Sequence, residues 1–302
     1  LTVSPARTKT SDTKWLHCYY QKMSFRDLCY SPSPKVEDAV SKSRDVVDPE
    51  LRLMFNKLGI SLDEQMRLSG VAVDAVVDSV SVATTFKAKL GEMGVLFCSF
   101  SEAVKHHGEL VRKYLGTVVP YTDNFYATLN SAVFSDGSFC FIPKGVKCDL
   151  PLQAYFRMEG AGEGTFEHTL IIADEGSEVN YIEGCTAQTY SVNSMHSAVV
   201  EIFVMEGAKV RYTTVQNWSK DVYNLNTKRA VVQAEGTVEW VGGSMGAKAV
   251  MLYPGSFLLG EGARADHLHV GVAGTGVHKD TGAKVVPLAP NPTSTNLAKS
   301  TS

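Results

Sequence analysis

At 302 residues, with 44% hydrophobic and 20% charged residues, the chain can bury one large core or two ordinary ones and is too apolar to be disordered. A formal charge of −3 gives no support to nucleic acid or an anionic membrane as the main partner. No apolar run reaches the roughly 18 residues of a spanning helix, no secretory segment is present, and six cysteines without a CxxC pair point to a reducing compartment.

The chain opens on Leu1 rather than Met, and "LTVSPARTKTSDTK" is basic and rich in Ser and Thr. Residues 1–30 are therefore read as a disordered or targeting-like tail, with the natural start expected further upstream. Residues 31–138 read as a helical region. In "VDPELRLMFNKLGI", Asp48 suits an N-cap, Pro49 the first helical position and Gly59 the C-terminal cap. "SLDEQMRLSG" repeats the design, with Ser61 and Glu64 as a capping box and Gly70 as its end. A third helix is expected from Ser101 to Gly116. Its adjacent His106 and His107 point about 100° apart, so they read as a solvated face and not as a metal pair.

After about Phe139 the period changes from helical to alternating. "TFEHTLIIADEGSEVNYIEG", "SAVVEIFVMEGAKVRYTTVQNW" and "RAVVQAEGTVEWVGG" are rich in Val, Ile, Tyr and Trp and broken by Glu-Gly turns. Gly145, Gly176, Gly207, Gly236 and Gly262 follow one another at 31, 31, 29 and 26 residues. A repeat of strands and glycine turns without helices predicts stacked β-coils, each burying its inward residues in one continuous core. A propeller has a similar period but needs tight hairpins, and Asp136-Gly137 is the only dipeptide of that kind. The expected fold is mainly β: a right-handed parallel β-helix over residues 139–302, regular from about Phe139 to Val286, with an N-terminal helical region.

Within "NYIEGCTAQ", Glu183-Gly184 reads as turn chemistry, which places Cys185 where a side chain leaves the packed wall. By residue type alone Cys185 is a small buried hydrophobe. Cys140 and Cys148 flank the "FIPKGVK" turn and read as structural, and nothing singles out Cys98 for function. His267 and His269 in "ADHLHV" alternate on a strand and share a side, a possible metal pair for which no third ligand is evident. Trp240 reads as a core aromatic.

The blocks "DPELRLMFNKLGIS", "TDNFYATLNSAVFSDGSF", "IPKGVKCDLPLQAYFR", "TLIIADEGSEVNYIEGCTA", "TTVQNW" and "NLNTKRA" resemble the SufB family, the scaffold subunit of the SUF iron–sulfur assembly system. The resemblance runs from about Cys29 to about Ser300, and "VNYIEGCTA" and "TTVQNW" are closer to SufB than to the related SufD. It implies a β-helix core with helical ends, and a complex with SufD and the ATPase SufC. It also implies sulfur delivery by a cysteine desulfurase with its sulfur-transfer partner, and transient assembly of an iron–sulfur cluster. Cys185 matches the family's sulfur-accepting cysteine. Arg157, Thr214, Gln216, Trp218 and Lys228 match its sulfur-relay tunnel. Glu159 stands where the family commonly has Asn, and its charge would repel an anionic persulfide. The family's second cysteine, a His-Glu pair tied to cluster binding and the SufC-docking helices belong to a portion beyond the counterpart of Ser302. Cluster ligands are therefore not assigned.

Why these residue types suit sulfur relay follows from the chemistry of the thiol. A free cysteine ionises near pH 8.5, so cations such as Arg157 and Lys228 are expected to favour the reactive anion. Thr214, Gln216 and the Trp218 indole can donate hydrogen bonds to sulfur without holding it irreversibly. The reading is thus a non-catalytic assembly scaffold, in which ATPase activity belongs to SufC. The alternatives are a SufD-like supporting subunit, or a β-helix enzyme with Cys185 as nucleophile and His196 as base. Bacterial cytoplasm and plastid stroma both fit.

Overall fold

The computed structural model describes residues 72–77, 80–84, 87–158, 162, 164–187 and 193–302. The two helices expected before Gly70, and also Cys18, Cys29 and Glu159, lie outside the described residues.

Three parallel walls wind into a β-helix of about five turns. The first wall stacks β5 (Lys147–Met158), β8 (Glu178–Ala187), β11 (Lys209–Trp218), β13 (Thr237–Gly246), β16 (Arg264–Val272) and β19 (Thr293–Thr301). The second stacks β4 (Ser138–Ile142), β7 (His168–Ala173), β10 (Val199–Val204), the second half of β12 (Val222–Val232), β15 (Gly255–Leu258) and β18 (Lys284–Pro287). The third holds β6 (Gly164–Thr165), β9 (Ser194–His196), the first half of β12, β14 (Ala249–Leu252) and β17 (His278–Thr281). Strand therefore continues past Val286 to Thr301, beyond the regular stretch the repeat predicts.

Each coil turns from the second wall into the first through a stacked corner. The amide of Gly145 donates to the carbonyl of Glu175, and that of Gly176 to Glu206. Gly207 donates to Ala234, and Glu235 to Glu261. Gly145, Gly176, Gly207 and Gly262 take φ of 71°, 64°, 63° and 68°, the left-handed region that glycine enters without penalty. In the fourth coil the corner slips by one residue: Glu235, not Gly236, takes the left-handed position, at φ 54°.

Residues 31–138, read as helical, carry strands in their described part. β1 (Ala72–Val77) pairs in parallel with β5, β2 (Val80–Thr84) pairs antiparallel with β1, and β3 (Leu96–Ser99) pairs antiparallel with β4. The valine-rich "AVDAVV" satisfies the open edge of β5, a partner outside the short-range pattern. The helices here are α1 (Lys87–Glu92), α2 (Phe100–His106), α3 (Gly108–Tyr114) and α4 (Phe125–Val133). The single helix expected from Ser101 starts earlier, capped by the Ser99 side chain, and breaks at His107 before Gly108. His107 stacks on Phe139 while His106 is exposed.

Burial alternates along β11 and along β8 as far as Thr186, so every second side chain enters the core. One inward row is an aromatic ladder of Tyr181, Tyr212, Trp240 and His267. Its rings follow at centroid spacings of 5.5, 5.1 and 6.3 Å.

Candidate functional site

Two further inward rows of the first wall carry polar side chains. One runs Ala154, Glu183, Thr214, Gly242, His269; the other runs Phe156, Cys185, Gln216, Ser244. Cys185 is not at a corner. It lies inside β8, faces inward and is 2% exposed, and Glu183-Gly184 is strand and not turn. Parallel pairing with β5 and β11 on both sides holds the segment extended, which overrides the local Glu-Gly signal.

The side chains converge on the Glu183 carboxylate. Lys228, reaching in from β12, donates to Oε1 at 2.5 Å, Gln216 at 2.7 Å and Thr214 at 2.9 Å. The Tyr212 hydroxyl donates to Oε2. Gln216 Nε2 also lies 3.2 Å from Cys185 Sγ. Its Oε1 accepts from the Trp218 indole at 2.7 Å and from Asn224 at 3.1 Å, and these donors fix which end of the amide faces the sulfur. Asn224 continues the chain to His196 Nδ1 at 2.8 Å, and His196 Nε2 meets Glu167 Oε2 at 2.7 Å. Every member of this network is buried.

Of the six residues matched in the sequence, Cys185, Thr214, Gln216, Trp218 and Lys228 meet here. Arg157 does not join them: it pairs in register with Thr186, on the face of β5 opposite to the row of Phe156 and Cys185. The missed members are Glu183, Tyr212, Asn224, Glu167 and, outside its role as a base, His196. A signal for Glu183 was present, since a residue two before Cys185 on a strand shares its side.

Charge in this interior is governed by the Glu183–Lys228 pair. Burial alone would raise the Glu183 carboxyl, but the Lys228 ammonium and the hydrogen bonds from Lys228, Tyr212 and Thr214 hold it below its ordinary value. Burial pushes the Cys185 thiol well up, and the Glu183 anion adds to this; Lys228 and the Gln216 hydrogen bond offset only part. Lys228 thus favours the thiolate, as expected of a cation, but burial and the Glu183 anion outweigh it, and Arg157 lies on the opposite face of β5. Burial also raises Cys140 and Cys148.

His267 and His269 share the inward face of β16, as their alternation predicts. Among the described residues no three His, Cys, Asp or Glu side chains come together as metal ligands.

Residues 156–302 match the SUF system FeS cluster assembly SufBD core domain, and residues 64–154 match the SufBD protein N-terminal region. The chain belongs to the SufBD family. A SufBD family protein of iron-sulfur cluster assembly from Porphyra purpurea, ycf24, is 46% identical over 300 residues, which cover 97% of this chain and 61% of that protein. The chloroplastic SufBD family protein ABCI8 of Arabidopsis thaliana is 44% identical over 299 residues, 96% of this chain and 54% of that one. A Staphylococcus epidermidis SufBD family protein is 48% identical over 281 residues, 93% and 60% of the two chains. This chain thus spans a little over half of the length of these relatives. Among the described residues, no helix is long and apolar enough to cross a membrane.

Proposed function

We propose that this SufBD family chain is a scaffold of iron–sulfur cluster assembly that accepts persulfide sulfur at Cys185 and relays it through the interior of the β-helix. One observation carries the reading: a buried cysteine hydrogen-bonded into a connected polar network, inside walls that otherwise pack apolar side chains. Burying this many polar groups is costly unless each is partnered, and an apolar core would give the fold alone at lower cost.

In the transfer step the Cys185 sulfur attacks the terminal sulfur of a donor Cys–S–SH. A new S–S bond forms on Cys185, the donor's own S–S bond breaks, and the departing donor thiolate takes up the proton that Cys185 loses. No outside oxidant or reductant is needed. Because the buried thiol is held protonated, the donor's leaving sulfur is the natural proton acceptor. Gln216 hydrogen-bonds the sulfur, while Thr214, Trp218 and Lys228 order the path beside it. Arg157, on the outer face, serves an approach from outside the helix and not the interior path.

The partners in this reading are SufC, SufD and a cysteine desulfurase with its sulfur-transfer partner. The iron–sulfur cluster is cargo and not a resident cofactor, and the compartment is bacterial cytoplasm or plastid stroma. A cysteine-nucleophile enzyme is less well supported, since both ring nitrogens of His196 are engaged by Asn224 and Glu167 and neither meets Cys185. The test is persulfide labelling after incubation with the desulfurase and its transfer partner. Cys185→Ser is expected to abolish labelling with the fold intact, and labelling equal to the wild type would place the acceptor elsewhere.

A further inference from the structure

A side-chain amide can present either its oxygen or its NH₂ to a neighbour, so the direction of the Cys185 network has to be set from outside. Two groups that can only donate do this. The Trp218 indole N–H meets Gln216 at 2.7 Å, which turns Oε1 of that amide toward it. The Ala198 backbone N–H meets Asn226 Oδ1 at 2.9 Å, which turns the Asn226 NH₂ toward Asn224. Asn224 stands between the two. Its Nδ2 serves Gln216 Oε1 at 3.1 Å, and its Oδ1 accepts from Asn226 at 2.9 Å.

His196 inherits its protons from this order. Its Nδ1 faces the Asn224 oxygen at 2.8 Å and so carries a proton. Its Nε2 faces the Glu167 carboxylate at 2.7 Å and carries one as well. The ring is then an imidazolium, and it is buried together with its counter-ion. The groups around it come from four elements. Glu167 lies between β6 and β7, Asn224 on β12, and Trp218 on β11, with its ring 4.6 Å from the imidazole. Across the interior stands Glu183 of β8, tied to Lys228 of β12. Burial opposes the charge, but the Glu167 anion, the hydrogen bonds to Glu167 and Asn224, and Glu183 outweigh it and raise the ring above its ordinary value.

Donation therefore runs one way toward the thiol. His196 donates to Asn224, Asn224 to Gln216, and Gln216 Nε2 ends 3.2 Å from Cys185 Sγ. Each bond in such a chain polarises the next, so the imidazolium strengthens the N–H that meets the sulfur. An N–H aimed at sulfur favours its anion, the state that a persulfide adopts. A neutral ring would break the order. It would keep its proton on Nε2 for Glu167, and two lone pairs would then meet between Nδ1 and Asn224 Oδ1. Asn224 has no way to turn over, since its oxygen would face Gln216 Oε1 and its NH₂ would face that of Asn226.

We infer that His196, held as an imidazolium by Glu167, is a positioning residue for Cys185: it sets the direction of the Asn224–Gln216 amide chain and so keeps an N–H on the sulfur during transfer. It acts without touching the sulfur. The use of the chain in transfer rests on the sulfur-relay reading; its direction rests on the hydrogen-bond order alone.

The experiment has two parts. NMR of the purified chain, isotope-labelled in histidine and glutamine, follows the ring and the amide across pH. Both His196 ring nitrogens are expected to carry protons on the acid side, and the Gln216 side-chain amide to shift at the same midpoint as the ring. Glu167→Gln keeps an acceptor but removes the anion, so both midpoints should fall together. A His196 Nε2 without a proton, or a Gln216 signal blind to the ring, would overturn the inference from the parent protein alone, whether or not the variant folds well. Persulfide labelling of Cys185 by the desulfurase and its transfer partner is then compared between parent and Glu167→Gln. Between the two midpoints the variant should label about tenfold more slowly, as loss of a charge-assisted hydrogen bond does. Above the parent's midpoint neither ring is charged and the two rates should converge. A merely structural defect slows labelling at every pH, so a constant ratio would overturn the positioning role. Labelling that survives Cys185→Ser would overturn the relay reading and the use of the chain with it, while the spectra still decide its direction.

Discussion

Glu183 and Lys228 form a buried ion pair whose members are each 1% exposed, so neither charge is tolerable without the other. Lys228→Met is expected to destabilise the fold by about 3–5 kcal/mol, because it strands the Glu183 carboxylate. The double variant Glu183→Gln, Lys228→Met removes both charges and should recover most of that loss. Urea unfolding checks both, and a neutral Lys228→Met would refute the pairing argument. The pH dependence follows from the same groups. Glu183 is depressed in the fold, so its contribution is present above its ordinary value of 4.5 and is lost as pH falls through the lower folded value. His196 behaves oppositely. Burial pulls it down, but Glu167 and the hydrogen bond that its Nδ1–H donates to Asn224 Oδ1 outweigh this and raise it. Its contribution is therefore present below 6.5 and is lost as pH rises through the folded value. Thermal unfolding across pH should decline on both sides, and Glu183→Gln should reduce the acid-side decline, leaving the part owed to Glu239, which Arg211 and Lys209 also hold low against burial.

The corners of the coils show how a backbone requirement is written into sequence, and where it escapes reading. Four of the six left-handed corner positions are glycine, and that recurrence made the stacked coils legible. The other two are Asn291, in the last described corner, and Glu235, beside a glycine that takes no positive φ, where the coils shorten from 31 to 28 and 27 residues between left-handed positions. Period alone cannot separate neighbours. A non-glycine residue in this conformation costs about 1–2 kcal/mol, so Glu235→Gly is expected to stabilise the protein by about 1 kcal/mol. Gly176→Ala should cost a similar amount, since nothing lies within 4 Å of an added Cβ and only the backbone objects. Equilibrium denaturation decides, and a stabilising Gly176→Ala would show that the corner is not conformationally demanding. The site was legible in the same uneven way. Residues carried by contiguous blocks, such as Thr214, Gln216 and Trp218, fell together, while Glu183 was read as a turn because its strand is enforced by neighbours 30 residues away. β1 escaped for the same reason: its partner β5 is set by tertiary pairing.

At the scale of the whole molecule, the β-helix is a stack whose last described strand has only one neighbour. β19 pairs with β16 and ends the first wall, and all nine of its residues are exposed. It carries a single charge, Lys299, and no proline, so it lacks the usual protection of an edge strand. Beside it, Leu268, Val270 and Val272 on β16 and Leu297 on β19 leave apolar side chains on the outer face. An open row of backbone donors and acceptors next to apolar surface is a template for another strand. The isolated chain is therefore expected to self-associate as its concentration rises, by edge pairing along β19. Thr295→Lys with Leu297→Lys places two further charges on the outer side of that edge, where they repel a second copy without entering the core. Sedimentation velocity over a concentration series should show a shift toward larger species for the parent and a constant monomer for the double variant, with the same circular dichroism for both. A parent that stays monomeric throughout, or a double variant that associates equally, would mean that the edge is covered by another part of the chain.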